Sequence, residues 1–319
     1  MELFDWSGKK VIITGGAGFL GSHLVDYLQL QNVGEIIVPR SAQYDLREKE
    51  AVMQLFEDHA NVDMIIHLAA TVGGIGANRE HPGLFFYDNV IMGTLLMEYA
   101  RRYQVSKFVG IGTICEYPKF TPVPFKESDL WNGYPEETNA PYGIAKKALL
   151  VQGQAYRQEF GFNVIHVLPT NLYGPRDNFD PKYAHVIPDV IRKMTEAMED
   201  GTKQVTLFGD GSPTREFLYV KDAARGIALA AAHYNDPEPV NLGSGKEISI
   251  KALIELIAEL LQFDGEIVWD TTKPNGQPRR NVDVRRAKES FGFEATTDFR
   301  NGLQELITWY QAHRTIVGT

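Results

Sequence analysis

Tyr142 and Lys146 stand four residues apart in PYGIAKKALL, a spacing that places both side chains on one face of a helix, one turn apart. An ammonium beside a phenol favours the phenolate and lowers the tyrosine pKa, so the pair is expected to exchange a proton near neutrality. Upstream, IGTICEYPK (111–119) contains Thr113 and then Cys115, the one cysteine of the chain. A lone thiol is a small buried hydrophobe, a surface residue or a working acid or base; its surroundings decide which.

The elements that would position these residues are legible. KVIITG (10–15), EIIVPR (35–40), VDMIIHLAA (62–70), KFVGIGT (107–113) and NVIHVLPT (163–170) read as strands. Between them, 19–32, 46–59, 82–104 and 142–161 read as helices. Strands alternating with helices predict βαβ units and an α/β fold, a Rossmann-type doubly wound parallel sheet. From 171 to 188 the chain is rich in turn formers and reads as a long loop, followed by a helix (189–199) and a strand (204–209). The expected organisation is a Rossmann domain over 1–175 with a returning segment near 216–245, and a smaller C-terminal α/β substrate domain over 176–215 and 246–319. The cleft between them is the expected site.

TGGAGFLGSH carries G-x-x-G-x-x-G at Gly15, Gly18 and Gly21, with Gly16 giving the overlapping G-x-G-x-x-G. Glycine permits tight turning and close approach of the backbone to a pyrophosphate at a helix N-terminus. The loop follows a strand and opens an apolar-periodic helix, which is the context this motif needs, so Ala17, Phe19 and Leu20 are predicted to line the cofactor with the glycines. At the end of the second strand an acidic residue suits NAD and an arginine suits the 2′-phosphate of NADP. Arg40 and Ser41 occupy that position, which predicts NADP(H), with NAD the alternative.

A net charge of −9 argues against a nucleic-acid partner. With no apolar run near the ~20 residues of a membrane span, no signal-peptide layout and a single cysteine, the expectation is a soluble cytoplasmic protein without a membrane partner. No His/Asp/Glu spacing suggests a metal site, and His67 reads as a core or strand-end histidine.

The glycine loop, Tyr142/Lys146 and the strand-end Thr113 together resemble the extended branch of the short-chain dehydrogenase/reductase superfamily. TVGGIGAN (71–78), CEYPK (115–119), PTNLYGPRDNF (169–179), HVIP (185–188) and SPTREFLYVKD (212–222) are similar to stretches of the GDP-L-fucose synthase family, bifunctional epimerase/reductases acting on GDP-4-keto-6-deoxy-D-mannose. The resemblance covers nearly the whole chain. It implies that Tyr142 protonates the reduced carbonyl oxygen, that Lys146 tunes it and binds the nicotinamide ribose, and that Thr113 holds the substrate oxygen. It implies Cys115 and His185 as the acid/base pair at C3 and C5. It further implies cofactor contacts from Leu68, Ala69 and Ala70, from Ile111 and Gly112, from Pro169, Thr170, Asn171 and Leu172, and from His185. For the GDP-sugar it implies Arg215, Phe208 and, from the PTNL strand end, Asn171; two phosphates need further cations, for which Arg192/Lys193 and Arg279/Arg280 are the candidates, with Lys193 and Arg279 the ones expected. A homodimer is implied through the helices at 82–104 and 142–160.

The chain departs from that family in its GGAGFLGS loop, in Thr113 followed by Ile114 where serine and a small polar residue are usual, and in Glu116 where an apolar residue is usual. Two other readings stay open: a GDP-, UDP- or dTDP-sugar epimerase that retains NAD, and a cofactor-binding regulator without chemistry.

Overall fold

The computed structural model describes residues 4–273 and 275–317. In chain order the elements are β1 (Lys10–Thr14), α1 (Phe19–Leu30), β2 (Glu35–Ile37), α2 (Lys49–Asp58), β3 (Met64–His67), α3 (Ile75–Glu80), α4 (Pro82–Arg102), β4 (Lys107–Ile111), α5 (Ala140–Phe160), β5 (Asn163–Pro169) and β6 (Asn171–Tyr173). Then follow α6 (Val186–Asp200), β7 (Gln204–Phe208), β8 (Thr214–Tyr219), α7 (Val220–His233), β9 (Val240–Leu242), β10 (Glu247–Ser249), α8 (Ile250–Leu261), β11 (Glu266–Asp270), β12 (Arg279–Arg280), α9 (Arg285–Phe291) and α10 (Phe299–Val317).

Six strands form one parallel sheet in the order β2-β1-β3-β4-β5-β9. Strand side chains alternate between faces. Val11, Ile13, Ile66, Val109, Ile165 and Val167 meet α1, α7 and α9 on one face. Ile12, Ile65, Phe108 and Val164 meet α2, α4 and α5 on the other. A sheet buried on both sides has near-continuous apolar strands, which is why these strands stood out in the sequence. The chain steps outward from β1 to β2 and returns to β3 on the other side of β1. The carboxyl ends of β1 and β3 therefore flank a crevice.

A second core joins β7, β8, α6, α8 and α10. β8 is central to a smaller sheet, antiparallel to β10 and parallel to β12 and β6. It touches both cores: Phe217 and Tyr219 face the second, and Leu218 between them faces the first.

The expected 171–188 loop is corrected in two places. Asn171–Tyr173 pairs with β8, and α6 already begins at Val186, because Ile187, Val190, Ile191 and Met194 form its apolar stripe against the second core. The return to the main sheet is made by α7 and β9, while Glu216–Tyr219 stays in the smaller sheet. Strand ends are also shorter than read: the residues after Ile37, His67 and Ile111 leave the ladder to line the crevice.

Phe108 is fully buried at the centre of the α4/α5 side. Phe108→Ala is expected to destabilise the protein by ~3–5 kcal/mol, read as a lower urea midpoint with an unchanged slope; an unchanged midpoint would contradict this core assignment.

Candidate active site

A cleft of about 2010 Å³ runs from the glycine loop, past the ends of β3, β4 and β5, to α6, β7 and β12. That is roughly twice an ordinary single-ligand pocket, enough for two sizeable ligands end to end.

At one end, the backbone folds tightly on itself. Gly15 has φ +70, and a Cβ there would lie 2.8 Å from the Ala69 nitrogen; a Cβ on Gly21 would overlap the Gly15 carbonyl. Gly18 caps α1 without any side-chain hydrogen bond, so the first-turn N–H groups of a 12-residue helix are left to a ligand. Gly15, Ala17, Gly18, Phe19, Leu20 and Gly21 all line the cleft. Gly16 does not: it is buried, and its missing side chain makes room for Val38 and the Ile13 carbonyl, so its role is packing. Arg40 and Ser41 line the same end, joined by Asp45, which the sequence places late after the second strand and towards the adenine, and by Arg47, which the sequence left unassigned. Arg47 holds Asp45 at 2.7 Å and brings its pKa down to about 2. The nearby carboxylate is thus already paired, and Arg40 is the open charge. Leu68, Ala69, Ala70, Ile111, Gly112, Pro169, Thr170, Asn171 and Leu172 line the middle of the cleft as strand-end residues.

The reactive groups meet beyond β4. Thr113 caps a short 3₁₀ turn, Ile114–Glu116; its Oγ1 accepts the Cys115 N–H at 3.2 Å, and Glu116 accepts the Thr113 N–H at 2.9 Å. This is a reciprocal capping box, and it leaves the Thr113 hydroxyl proton for a group in the cleft. α5 starts directly against this turn, with Gly143 abutting the Cys115 carbonyl where a Cβ would not fit. Tyr142 and Lys146 therefore face Thr113 and Cys115 across one end of the cleft.

The Lys146 ammonium lies 6.0 Å from the Tyr142 ring centre. Burial lowers the Lys146 pKa to about 8, opposed by the charge of Glu116. The Tyr142 pKa is raised, first by burial and then by Cys115 and Glu116. The expectation that Lys146 would favour phenolate is therefore corrected: Lys146 lies over the ring, and burial dominates. Tyr142 is held as a proton donor.

His185 caps α6 from the opposite wall, open to the cleft, and the surrounding protein lowers its pKa by disfavouring the imidazolium. Cys115 is half-buried, with Arg280 Nη1 3.9 Å from its sulfur. His67 is buried; its Nδ1 is 2.7 Å from Thr14 Oγ1, its Nε2 has no partner among the described residues, and burial drives its pKa to about 3.

The far wall is cationic. Arg215 and Arg280 are register partners on β8 and β12, and both line the cleft. Burial, then Arg280, lowers the Arg215 pKa to about 10. Glu216, pointing away, accepts the Val282 N–H at 2.8 Å and the Asn281 amide at 3.0 Å, which fixes the chain just after Arg280. Lys193 and Lys273 each lie 5.9 Å from the ring of Phe208, which is 67% exposed and offers a flat apolar face.

Arg279 is not brought to the cleft. Strand alternation turns it outward to Glu247 at 2.6 Å, and Arg280 takes the inward place. Arg192 is likewise held by Asp189 and Glu196 outside the cleft lining.

A glycine-turned crevice at a helix N-terminus with a Thr/Tyr/Lys group at its mouth is a dinucleotide-binding type of site. The chain belongs to the NAD dependent epimerase/dehydratase family, which it matches over residues 11–243. Its relatives within that family include GDP-L-fucose synthases. It is 39% identical to GDP-L-fucose synthase 1 of Arabidopsis thaliana, covering 97% of this chain and 96% of that one. It is 34% identical to GDP-L-fucose synthase of Escherichia coli, covering 95% and 97%. Among solved structures, GDP-L-fucose synthetase from Naegleria fowleri bound to NADP superposes with a TM-score of 0.90 at 28% identity, covering 98% and 97%.

Proposed function

We propose that the protein is a GDP-sugar 3,5-epimerase/4-reductase of nucleotide-sugar biosynthesis, converting GDP-4-keto-6-deoxy-D-mannose to GDP-L-fucose with NADPH. One observation carries the reading: a thiol and an imidazole, Cys115 and His185, line the same cleft as the carbonyl-handling group Thr113, Tyr142 and Lys146. A simple reductase has no need of the first pair.

The residues present fit a dinucleotide bearing a 2′-phosphate. The uncapped first turn of α1 and the close glycine contacts suit a pyrophosphate, and Arg40 stands open where a 2′-phosphate would lie. When bound, the nicotinamide supplies the hydride for C4. Lys146, charged below about pH 8, would face the nicotinamide ribose.

The substrate carbonyl at C4 makes the protons on C3 and C5 acidic. Cys115 and His185, a thiol and an imidazole, remove a proton from one face and return one to the other. The negative charge that develops on O4 is met by the Thr113 and Tyr142 hydroxyls. The same two donors then serve reduction: as C4 gains hydride, the Tyr142 proton passes to O4, a far stronger base than a phenolate. Arg215 and Arg280 face the diphosphate as fixed donors, and Lys193 stands beside Phe208 for the nucleotide end. Asn171, whose amide donates to the Glu216 carbonyl at 2.9 Å, joins the two layers beside the sugar.

We further propose that the Rossmann layer carries the cofactor and the smaller layer the GDP-sugar, and that the enzyme works as a cytoplasmic homodimer. Exposed apolar residues on the outer faces of α4 and α5, including Phe86, Tyr87 and Val151, support self-association. Among the described residues no helix is long and apolar enough to cross a membrane.

Cys115→Ser is expected to slow deuterium exchange from solvent into C3 and C5 by about 100-fold while NADPH binding stays intact, whereas Tyr142→Phe slows reduction to a similar degree; full exchange or near-normal reduction in the respective variant would remove that assignment. Arg40→Ala is expected to weaken NADPH binding about tenfold with little effect on NADH, measured by fluorescence titration. An equal loss for both cofactors would place the 2′-phosphate elsewhere.

A further inference from the structure

Glu116 has no solvent exposure, although it immediately follows the thiol residue. Its Oε1 accepts the Thr113 N–H at 2.9 Å, and its two oxygens lie 3.1 and 3.2 Å from Nε2 of His166, itself buried on β5. Carboxylate and imidazole are close enough that Gly112 between them has no room for a side chain; a Cβ would overlap both. A carboxyl met by N–H donors on each oxygen is held as an acceptor, with the imidazole proton on Nε2. The pair is tied to the turn through Thr113 and to α5 through the contact of Gly143 with the Cys115 carbonyl.

None of the reaction steps above uses this pair, and a buried carboxyl without a task is costly to retain. Lys146 is faced by Glu116 from the turn, by Tyr142 on its own helix and by His67 from β3, while Cys115 faces Tyr142. Within that shell, Glu116 is the group whose charge acts on Lys146.

We propose that Glu116, braced by His166, is a positioning residue of the active site: it sets the turn that presents Thr113 and Cys115 and supplies the negative charge that Lys146 faces. The proposal rests on the epimerase/reductase reading for its kinetic assay alone. The sign of the effect follows from Lys146. Burial already lowers its pKa and Glu116 opposes that shift. Without the carboxylate the ammonium is lost at lower pH, and the alkaline limb of reduction moves down.

Glu116→Gln keeps the shape and an oxygen for the Thr113 N–H but removes the charge. Two readouts decide. In the pH dependence of kcat for reduction, the alkaline limb is expected to shift down by about one unit. In protein without cofactor or substrate, iodoacetamide alkylation of Cys115, the single thiol of the chain, is expected to run about threefold faster at fixed pH as the turn loosens. An unmoved limb overturns the counter-charge, and an unchanged alkylation rate overturns the brace. Should Glu116→Gln fail to fold, His166→Leu leaves the carboxylate in place but strips it of a partner, so faster alkylation of Cys115 is expected with the alkaline limb kept; an unchanged alkylation rate overturns the brace. If the unaltered enzyme reduces no GDP-4-keto sugar, the functional reading fails while the alkylation rate still decides the brace.

Discussion

The working geometry depends on the approach of Gly143 to the carbonyl of Cys115. That contact docks the first turn of α5, with Tyr142 and Lys146, onto the turn that carries Thr113 and Cys115, and a single added methyl would prevent it. The rest of α5 is arranged to hold the approach. Leu149 fills the space over Gly93 of α4, and Val164 of β5 fills the space over Gly153. A helix packed this closely to both neighbours has little freedom to slide, so four reactive side chains from two elements keep one relative position.

The same burial sets the electrostatics. Tyr142 is pushed up, Lys146 and His185 are pushed down, and in each case desolvation is the largest cause. A site that resists charge on its acids and bases keeps them near the protonation state from which transfer is useful. On the wall of Arg215 and Arg280 burial again comes first, and the neighbouring Arg280 lowers Arg215 further, so under the proposed function an arriving diphosphate would relieve this pair of cations. The proposed division is physical: protonated Tyr142 and the half-buried thiol on one wall, fixed guanidinium charge on the other.

Much of this was legible in the sequence. The glycine loop, the alternating elements and the four-residue spacing of Tyr142 and Lys146 are local patterns, and local patterns survive without knowledge of packing. What was missed depends on contacts distant in the chain. Arg280 rather than Arg279 faces the cleft because β12 pairs with β8 in one register, which no local pattern specifies. The raised pKa of Tyr142 follows from how deeply α5 is packed. Glu116 is the instructive case. Read as a departure from related enzymes, it is also the fourth residue of a Thr-x-x-Glu capping box, a signal present in the sequence. Its partner His166 comes from another strand and could be paired only in the fold.

The central claim is that one cleft both inverts carbons beside a carbonyl and reduces that carbonyl. The most direct test is to incubate GDP-4-keto-6-deoxy-D-mannose with the enzyme and NADPH in D2O, following NADPH absorbance and the product by NMR. GDP-L-fucose carrying deuterium at C3 and C5 is expected, with NADPH consumed in step with product. Product formed without loss of NADPH, or reduction without deuterium at either carbon, would contradict that claim.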